Sequence, residues 1–421
     1  MNNKTIIALR SFIVAVGATA ASAFVGVYGA FLGASPAEMG WLQSAANSVG
    51  NGAQLFWGRM SDRFGVRKFF LVVGGAVLAL LWFLMGVVKT PVELIIAYGG
   101  ISFFGSMITV NWFSLIAEQA ESSSRGKFLS IVNNLASVGT IISLLLMSIF
   151  FTGKVTNEIR IPFFVAALSY LISVIVVALI KEKKHSSVSK KSLLETMRTL
   201  RGEKLFYRYF LAMNIQGYFW SIAWPLFPLT IVDLMHFNLS EIAYLTVAAS
   251  ATTVLFQFLI GRITDKINRP PLIFLNRLML SLIPIFYAFF HNFQEFIILE
   301  LYSGGLSAIQ NVVMNSYLLD IIPVDRRGEF ISILNGFNGL VYLFGALSGG
   351  YLLQAFISFM PLGISLTIAY LIIFSGRFLS SFLFYRLKES QDRGAGPLSL
   401  FQLILRQKPA GSPSGGTIKV R

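Results

Sequence analysis

The chain has 421 residues, 55% of them hydrophobic and 13% charged, with a mean hydropathy of +0.70. Soluble domains carry about 25% charged residues, so lipid is the expected solvent. The absence of cysteine excludes a disulfide scaffold and thiolate metal sites, and the three histidines, His185, His236 and His291, are not spaced as a metal pair. The formal net charge of +15 sits in short loops between apolar runs, not on one amphipathic face. It therefore reads as topology-setting charge, and no nucleic-acid partner is expected.

Twelve stretches approach the ~20 apolar residues that a membrane-crossing helix needs: 7–33, 37–57, 67–88, 92–117, 127–151, 161–180, 206–232, 240–260, 271–290, 294–318, 329–354 and 360–384. They are too long and too evenly apolar for barrel strands. The first exceeds the ~7–15-residue core of a signal peptide and is followed by others of its kind, so it reads as a retained helix. With the amino terminus inside, the loops after spans 2, 4, 6, 8 and 10 hold nineteen lysines and arginines. The opposite loops hold three, Lys89, Lys154 and Arg160. This asymmetry places both termini in the cytoplasm of a multi-pass protein of the cell membrane.

Residues 181–205 form the one long internal linker and divide the chain into an amino-terminal bundle at 1–180 and a carboxy-terminal bundle at 206–386. Within the linker, Ser192 and Glu195 have capping-box spacing, and Leu193, Leu194, Met197 and Leu200 would line one face of a short helix on the membrane surface. The tail at 387–421 ends in a Gly/Ser/Pro stretch that reads as disordered.

The most charged run in the first half is Gly58-Arg59-Met60-Ser61-Asp62-Arg63-Phe64-Gly65-Val66-Arg67-Lys68, read as a loop. Gly58, Arg59, Asp62 and Arg63 reappear 203 positions later as Gly261, Arg262, Asp265 and Lys266. Glu38 and Glu241 match at the same offset. At an offset of 202, Glu93 meets Glu295, Glu118 meets Asp320, and Arg125-Gly126 meets Arg327-Gly328. Six spans, a linker and six spans in the same order imply two parallel halves related by an axis along the membrane normal.

This arrangement resembles the major facilitator superfamily (MFS) from the first span to the last. The Gly58–Lys68 run is similar to the family's cytoplasmic motif between its second and third helices, departing from it in Val66 before Arg67-Lys68. The resemblance implies an all-α fold of twelve transmembrane helices in two pseudo-symmetric six-helix bundles. It also implies a cytoplasmic gate built from Gly58, Asp62, Arg63, Gly65, Arg67, Glu118 and Arg125, with Gly261, Asp265, Lys266, Asp320 and Arg327 in the second half. Glu118 is the natural partner of the motif's arginines by the same resemblance. Gly58 and Gly65 permit a tight turn and close helix approach.

In the family, helices 1, 4, 7 and 10 surround the central cavity. That makes Tyr28, Asn111, Trp112, Asn214, Gln216, Tyr218, Trp220, Gln310 and Asn311 substrate-binding candidates, joined by Gln43 and Asn47 from a polar stripe on helix 2. These side chains suggest binding by hydrogen bonds and aromatic contact, not by fixed charge. Glu300, the one carboxylate well inside a span, is the candidate for proton coupling. Arg277 and Arg377 read as residues that snorkel to the cytosolic side. The helix-4 arginine of many proton-coupled members and the helix-5 Gly-Pro-x-x-Gly-Gly pattern of exporters are absent.

The expected function is alternating-access secondary transport of a small organic solute. Two readings stand side by side: proton-coupled export of a drug-like or metabolite compound, and uptake of a neutral solute such as a sugar by symport or uniport. A non-transporting membrane receptor is a third. With no phosphate-binding Gly-x-x-x-x-Gly-Lys-Ser/Thr motif and no convergent catalytic groups, neither direct ATP drive nor enzyme activity is expected. The expected partners are the solute, protons as coupling ion and the bilayer. No cofactor is expected, and the chain is expected to act as a monomer.

Overall fold

The computed structural model describes residues 3–119, 125–150, 158–180, 182, 202–261, 264, 268–323 and 326–389, so most of the linker, including its capping-box segment, and the tail lie outside the described residues. The first half comprises α1 (Asn3–Phe31), α2 (Pro36–Ser44 and Gly50–Phe64, joined by a π turn at Ala45–Val49), α3 (Lys68–Val87), α4 (Pro91–Gln119), α5 (Arg125–Phe150) and α6 (Ile161–Ala178). The second comprises α7 (Lys204–Ile222 and Leu226–Leu229, ending in a π turn at Thr230–Leu234), α8 (Leu239–Gly261) and α9 (Arg269–Ser281 and Ile283–Phe289). It continues through α10 (Phe293–Ile309 and Asn315–Ile321, joined by a π turn at Gln310–Met314), α11 (Arg327–Ile357) and α12 (Leu362–Tyr385).

Among the described residues nine of these, all but α2, α5 and α7, are long and apolar enough to cross a membrane. Helix α2 carries a π turn and a polar stretch from Ser44 to Gln54, and α7 breaks after Ile222. That break precedes Pro225, whose ring removes an amide donor, as expected of a proline near the end of a span.

Within the halves, α1 packs on α5 and α6, α3 on α4 and α6, α7 on α11 and α12, α8 on α10, and α9 on α12. The halves meet chiefly through α2 against α11 and α5 against α8, with a smaller contact of α1 and α2 on α7. The architecture is all-α, in two six-helix bundles.

The matched acidic residues of the repeat have a structural explanation at one end of the molecule. Glu38, Glu93, Glu241 and Glu295 each close a cap on the first turn of α2, α4, α8 and α10. In each case the carboxylate accepts a backbone N–H at 2.8–3.2 Å, while Ser35, Thr90, Asn238 or Asn292 accepts the glutamate's own N–H. All four caps lie on the side of the Lys/Arg-poor loops. The repeat there preserves helix starts.

The motif run is not a loop. Helix α2 continues to Phe64, and only Gly65, Val66 and Arg67 turn the chain into α3. Charged residues beyond an apolar run can extend a helix into water, and nothing stops this one before Gly65, which takes the left-handed conformation at φ 65°. Gly58 makes no close approach: a Cβ there would meet only Val110 Cγ1, at 3.6 Å, and one at Gly261 would meet nothing within 4 Å.

Candidate functional site

At the Lys/Arg-rich end, each half carries its own brace. Glu182, just beyond α6, accepts the backbone N–H groups of Arg67 (2.6 Å) and Lys68 (2.9 Å) at the start of α3. Lys68 Nζ in turn donates to the carbonyls of Ala178 and Ile180. In the second half, Glu389, just beyond α12, accepts the N–H of Arg269 at 2.6 Å at the start of α9, and Tyr317 Oη donates to Lys388 O at 2.8 Å. Both carboxylates sit where a helix amino terminus presents unpaired donors and positive potential. Sequence reasoning missed both, because the residues fall just past the last apolar position of a span. Their matching placement at the ends of the two halves was the available signal.

Of the gate residues, Arg67 donates to Ser61 Oγ at 2.5 Å, Asp320 forms an ion pair with Arg269, and Arg327 donates to Leu319 O at 3.0 Å. Each of these contacts joins segments of one half. Arg63 is exposed. Asp62, Glu118 and Arg125 lie on described helices with side chains outside the described set, and Asp265 and Lys266 lie outside the described residues.

Glu182→Gln and Glu389→Gln are each expected to cost about 1 kcal/mol, the usual scale for an anion capping a helix amino terminus. The two losses should add in the double mutant, because the braces belong to separate halves. Thermal unfolding of the detergent-solubilised protein checks this; a double mutant no less stable than either single mutant would show the braces to be ornamental.

At the opposite end the named contacts cross between the halves. A Cβ at Gly40 of α2 would sit 2.9 Å from Ala346 O of α11, and one at Gly350 of α11 would strike Pro36 O and lie 3.0 Å from Gly40 Cα. Ser44 Oγ donates to Leu343 O at 3.2 Å and Trp41 Nε1 to Tyr351 Oη at 3.2 Å. On α1, a Cβ at Gly26 would lie 2.9 Å from Pro228 Cγ of α7. Small residues allow this backbone-to-backbone approach within a membrane.

Below this seal lies a cavity of about 590 Å³ lined by α1 to α6. Asn47, Asn51 and Gln54 of α2, Thr19 and Ser22 of α1, and Ser102, Thr109 and Trp112 of α4 supply much of its polar wall, with Trp82, Tyr98 and Tyr170 as aromatic surfaces. Arg10 of α1 also lines it. Its side chain is only 3% exposed, its Nε donates to Ser173 Oγ at 3.1 Å, and its guanidinium lies over the Trp112 ring at 3.8 Å. The expectation of a site without fixed charge is therefore corrected. Arg10 stands in the third turn of α1, where sequence alone does not separate a cavity-facing arginine from a flanking one.

Of the substrate-binding candidates, Asn47 and Trp112 line this cavity and the others do not. Several of the others hydrogen-bond within the protein. Asn111 and Asn214 donate to the carbonyls four residues back, Met107 and Phe210, as Asn47 also does to Gln43. Tyr28 donates to Val88 O at 2.7 Å and packs on Phe163; Gln216 donates to Ser381 Oγ and Tyr218 to Ser348 Oγ. Gln43 lies against Gly26, while Gln310 and Asn311 fall in the π turn of α10. Glu300 is half-buried on α10, within electrostatic reach of Tyr287 and away from the cavity.

The snorkelling expectation for Arg277 and Arg377 is also corrected: they are buried, 4% and 1% exposed. Arg377 Nε and Nη2 donate to the carbonyls of Phe219 (3.2 Å) and Trp220 (2.7 Å), and its guanidinium lies 4.6 Å from the Trp220 ring. Those carbonyls belong to the last turn before α7 breaks, where helical donors run out. Arg377 therefore caps a helix carboxy terminus inside the second half. Arg277 donates to Met314 Sδ and lies 5.9 Å from the same ring.

The chain matches the Major Facilitator Superfamily over residues 7–219 and again over 209–411. It belongs to that superfamily. The curated proteins offer no match to the sequence. Among solved structures, the nucleoside transporter NupG superposes with a TM-score of 0.72 at 14% identity, covering 92% of this chain and 99% of that one. The D-xylose-proton symporter gives 0.67 at 15%, covering 92% and 98%. A bacterial homologue of the human lysosomal transporter Spinster, inward-facing and unoccupied, gives 0.64 at 15%, covering 93% and 100%. At these identities the likeness is one of fold. The protein is a multi-pass membrane protein with the fold of MFS transporters.

Proposed function

We propose that this MFS member is a secondary transporter that moves a small organic solute by alternating access, its halves rocking about the cavity lined by Asn47, Trp112 and Arg10. The observation that carries the reading is the asymmetry of the contacts. The halves meet through glycine backbone at the Lys/Arg-poor end, while the Glu182 and Glu389 braces at the Lys/Arg-rich end each tie segments of one half. The excess of lysine and arginine orients that second end, and both termini, to the cytoplasm of the cell membrane. The cavity then corresponds to a state closed to the outside. In this reading the bundles are 1–180 and 206–386, the unit is a monomer, and Asp62, Arg63 and Glu118 close the cytoplasmic side in the alternate state. Tyr218, Trp220, Gln310 and Asn311 form the opposing wall of the pathway.

Glu300 is the proposed proton site. It is a carboxylate about two turns inside the Phe293–Ile321 span that makes no ion pair among the described residues, and such groups mark proton or substrate pathways. In this reading the solute leaves the cell in exchange for protons that enter down their gradient. The experiment is reconstitution into vesicles loaded with a pH-sensitive dye, with a solute panel outside and inside. Solute flux accompanied by proton movement is expected. Glu300→Gln should abolish the proton movement, and Asp62→Asn should slow flux at unchanged expression. Flux without proton movement would replace the proton with another ion or none. Absence of flux for every solute, with folded protein, would turn the reading to a receptor.

A further inference from the structure

Arg10 poses a problem of charge. A cation inside a membrane protein is costly unless paired or solvated, and among the described residues the cavity lining holds no acidic side chain. Arg10 makes the Nε bond to Ser173 and lies on the face of Trp112; Nη1 and Nη2 find no hydrogen-bond partner among the described residues. Stacking on an indole occupies the face of a guanidinium and leaves its edge donors in plane. That edge matches the two oxygens of a carboxylate or phosphate. With Ser173 holding the Nε side, the remaining N–H groups are fixed in direction before any ligand arrives.

We propose that the cavity takes a small organic anion, with one carboxylate or phosphate held by the edge of Arg10. Its uncharged body would lie against Trp82, Tyr98 and Trp112, with Asn47, Asn51 and Gln54 bonding its neutral polar groups. The inference rests on the transport reading of the same cavity and narrows its solute class. The volume of about 590 Å³ suits a metabolite-sized molecule. The proposal concerns binding and involves no covalent step.

The test uses the purified full chain in detergent and matched pairs of probes differing in charge: benzoate and benzamide, lactate and lactamide, uridine 5′-monophosphate and uridine, with inorganic phosphate alongside. At least one oxyanion is expected to raise the thermal unfolding midpoint at concentrations where its neutral partner does not. The pairs separate a carboxylate ligand from a phosphate ligand. Arg10→Gln should weaken that binding about 100-fold, the scale of removing one partner from a desolvated charge pair. Arg10→Lys, which keeps charge but loses the planar fork, should weaken it about 10-fold.

If Arg10 serves only to tie α1 to α6, Arg10→Gln will lower the ligand-free midpoint and leave the preference for the anion unchanged, which overturns the proposal. Should Arg10→Gln not fold, Arg10→Lys and the wild-type pairs decide: equal binding of every anion and its neutral partner also overturns it. Vesicle flux separates the two readings. Movement of neutral members alone removes the anion site and leaves the transporter. Stabilisation by anions with no flux of any solute keeps the site and removes the transporter.

Discussion

Replacing Gly350 with leucine is expected to lower solute flux by roughly 100-fold without preventing insertion or folding. A Cβ at this position lands on Pro36 O and within 3.1 Å of Gly40 N, so the clash is with backbone that no rotamer change can move aside. Overpacking of a close interface costs about 1–3 kcal/mol, and here the cost falls only on the state in which α2 and α11 touch. A penalty near the upper figure depletes that state by roughly 100-fold, and a cycle that must visit it slows in proportion. Gly350→Ala should show a smaller effect of the same sign. Gly363→Ala is the control, because a Cβ there meets only Leu234 Cδ1 at an ordinary 3.5 Å. Vesicle flux measures the loss. Because the chain has no cysteine, a single Ser22→Cys reporter in the cavity adds a second readout: its labelling from the Lys/Arg-poor side should rise in Gly350→Leu. Unchanged flux and unchanged labelling in the folded variant would mean that the α2–α11 contact is not a moving seal.

The second large effect is expected at Arg377, where alanine should destabilise the protein by about 3–5 kcal/mol. Leaving a buried acceptor unpaired costs about 1–3 kcal/mol for each group, and two are released here. The substitution strips two donors from the carbonyls of Phe219 and Trp220, which then face a membrane interior with no water to replace them. It also opens a cavity among residues that pack a wholly buried side chain. Arg377→Lys should recover part of the loss, since one ammonium can reach one of the two carbonyls. The fraction folded during titration with a denaturing detergent reports the stability, and Trp220 fluorescence reports the local change. A variant as stable as the parent would show that solvent or a neighbouring amide satisfies those carbonyls instead.

Much of this fold was legible because membrane helices announce themselves by length. The expected spans and the observed helices agree closely. The repeat was equally plain, yet its meaning was not. Glu38, Glu93, Glu241 and Glu295 marked the two halves as copies, and in the structure each caps a helix start.

The site was harder to read for a physical reason. In a helix that is apolar on every side, no contrast in hydrophobicity tells which face turns inward, so Arg10 and Leu9 differ in burial without differing in any pattern around them. Amides misled in a second way. Asn111 and Asn214 each return a hydrogen bond to their own helix, four residues back, a satisfaction that composition does not reveal. The direction of Arg377 depended on carbonyls released by a break elsewhere in the chain, which only the packed structure brings together.

The α2–α11 contact has one further consequence. Its closest approaches involve glycine backbone and carbonyl oxygen, so dissolved ions have little there to screen. The braces at the other end are charged and sit within reach of a screening length of ~10 Å at 0.1 M salt. The two ends of the protein therefore answer to different physical variables. Ionic strength acts on one, and the lateral pressure and thickness of the bilayer act on the other. A change of salt would act on the stability of each half, and a change of lipids on the contact between the halves.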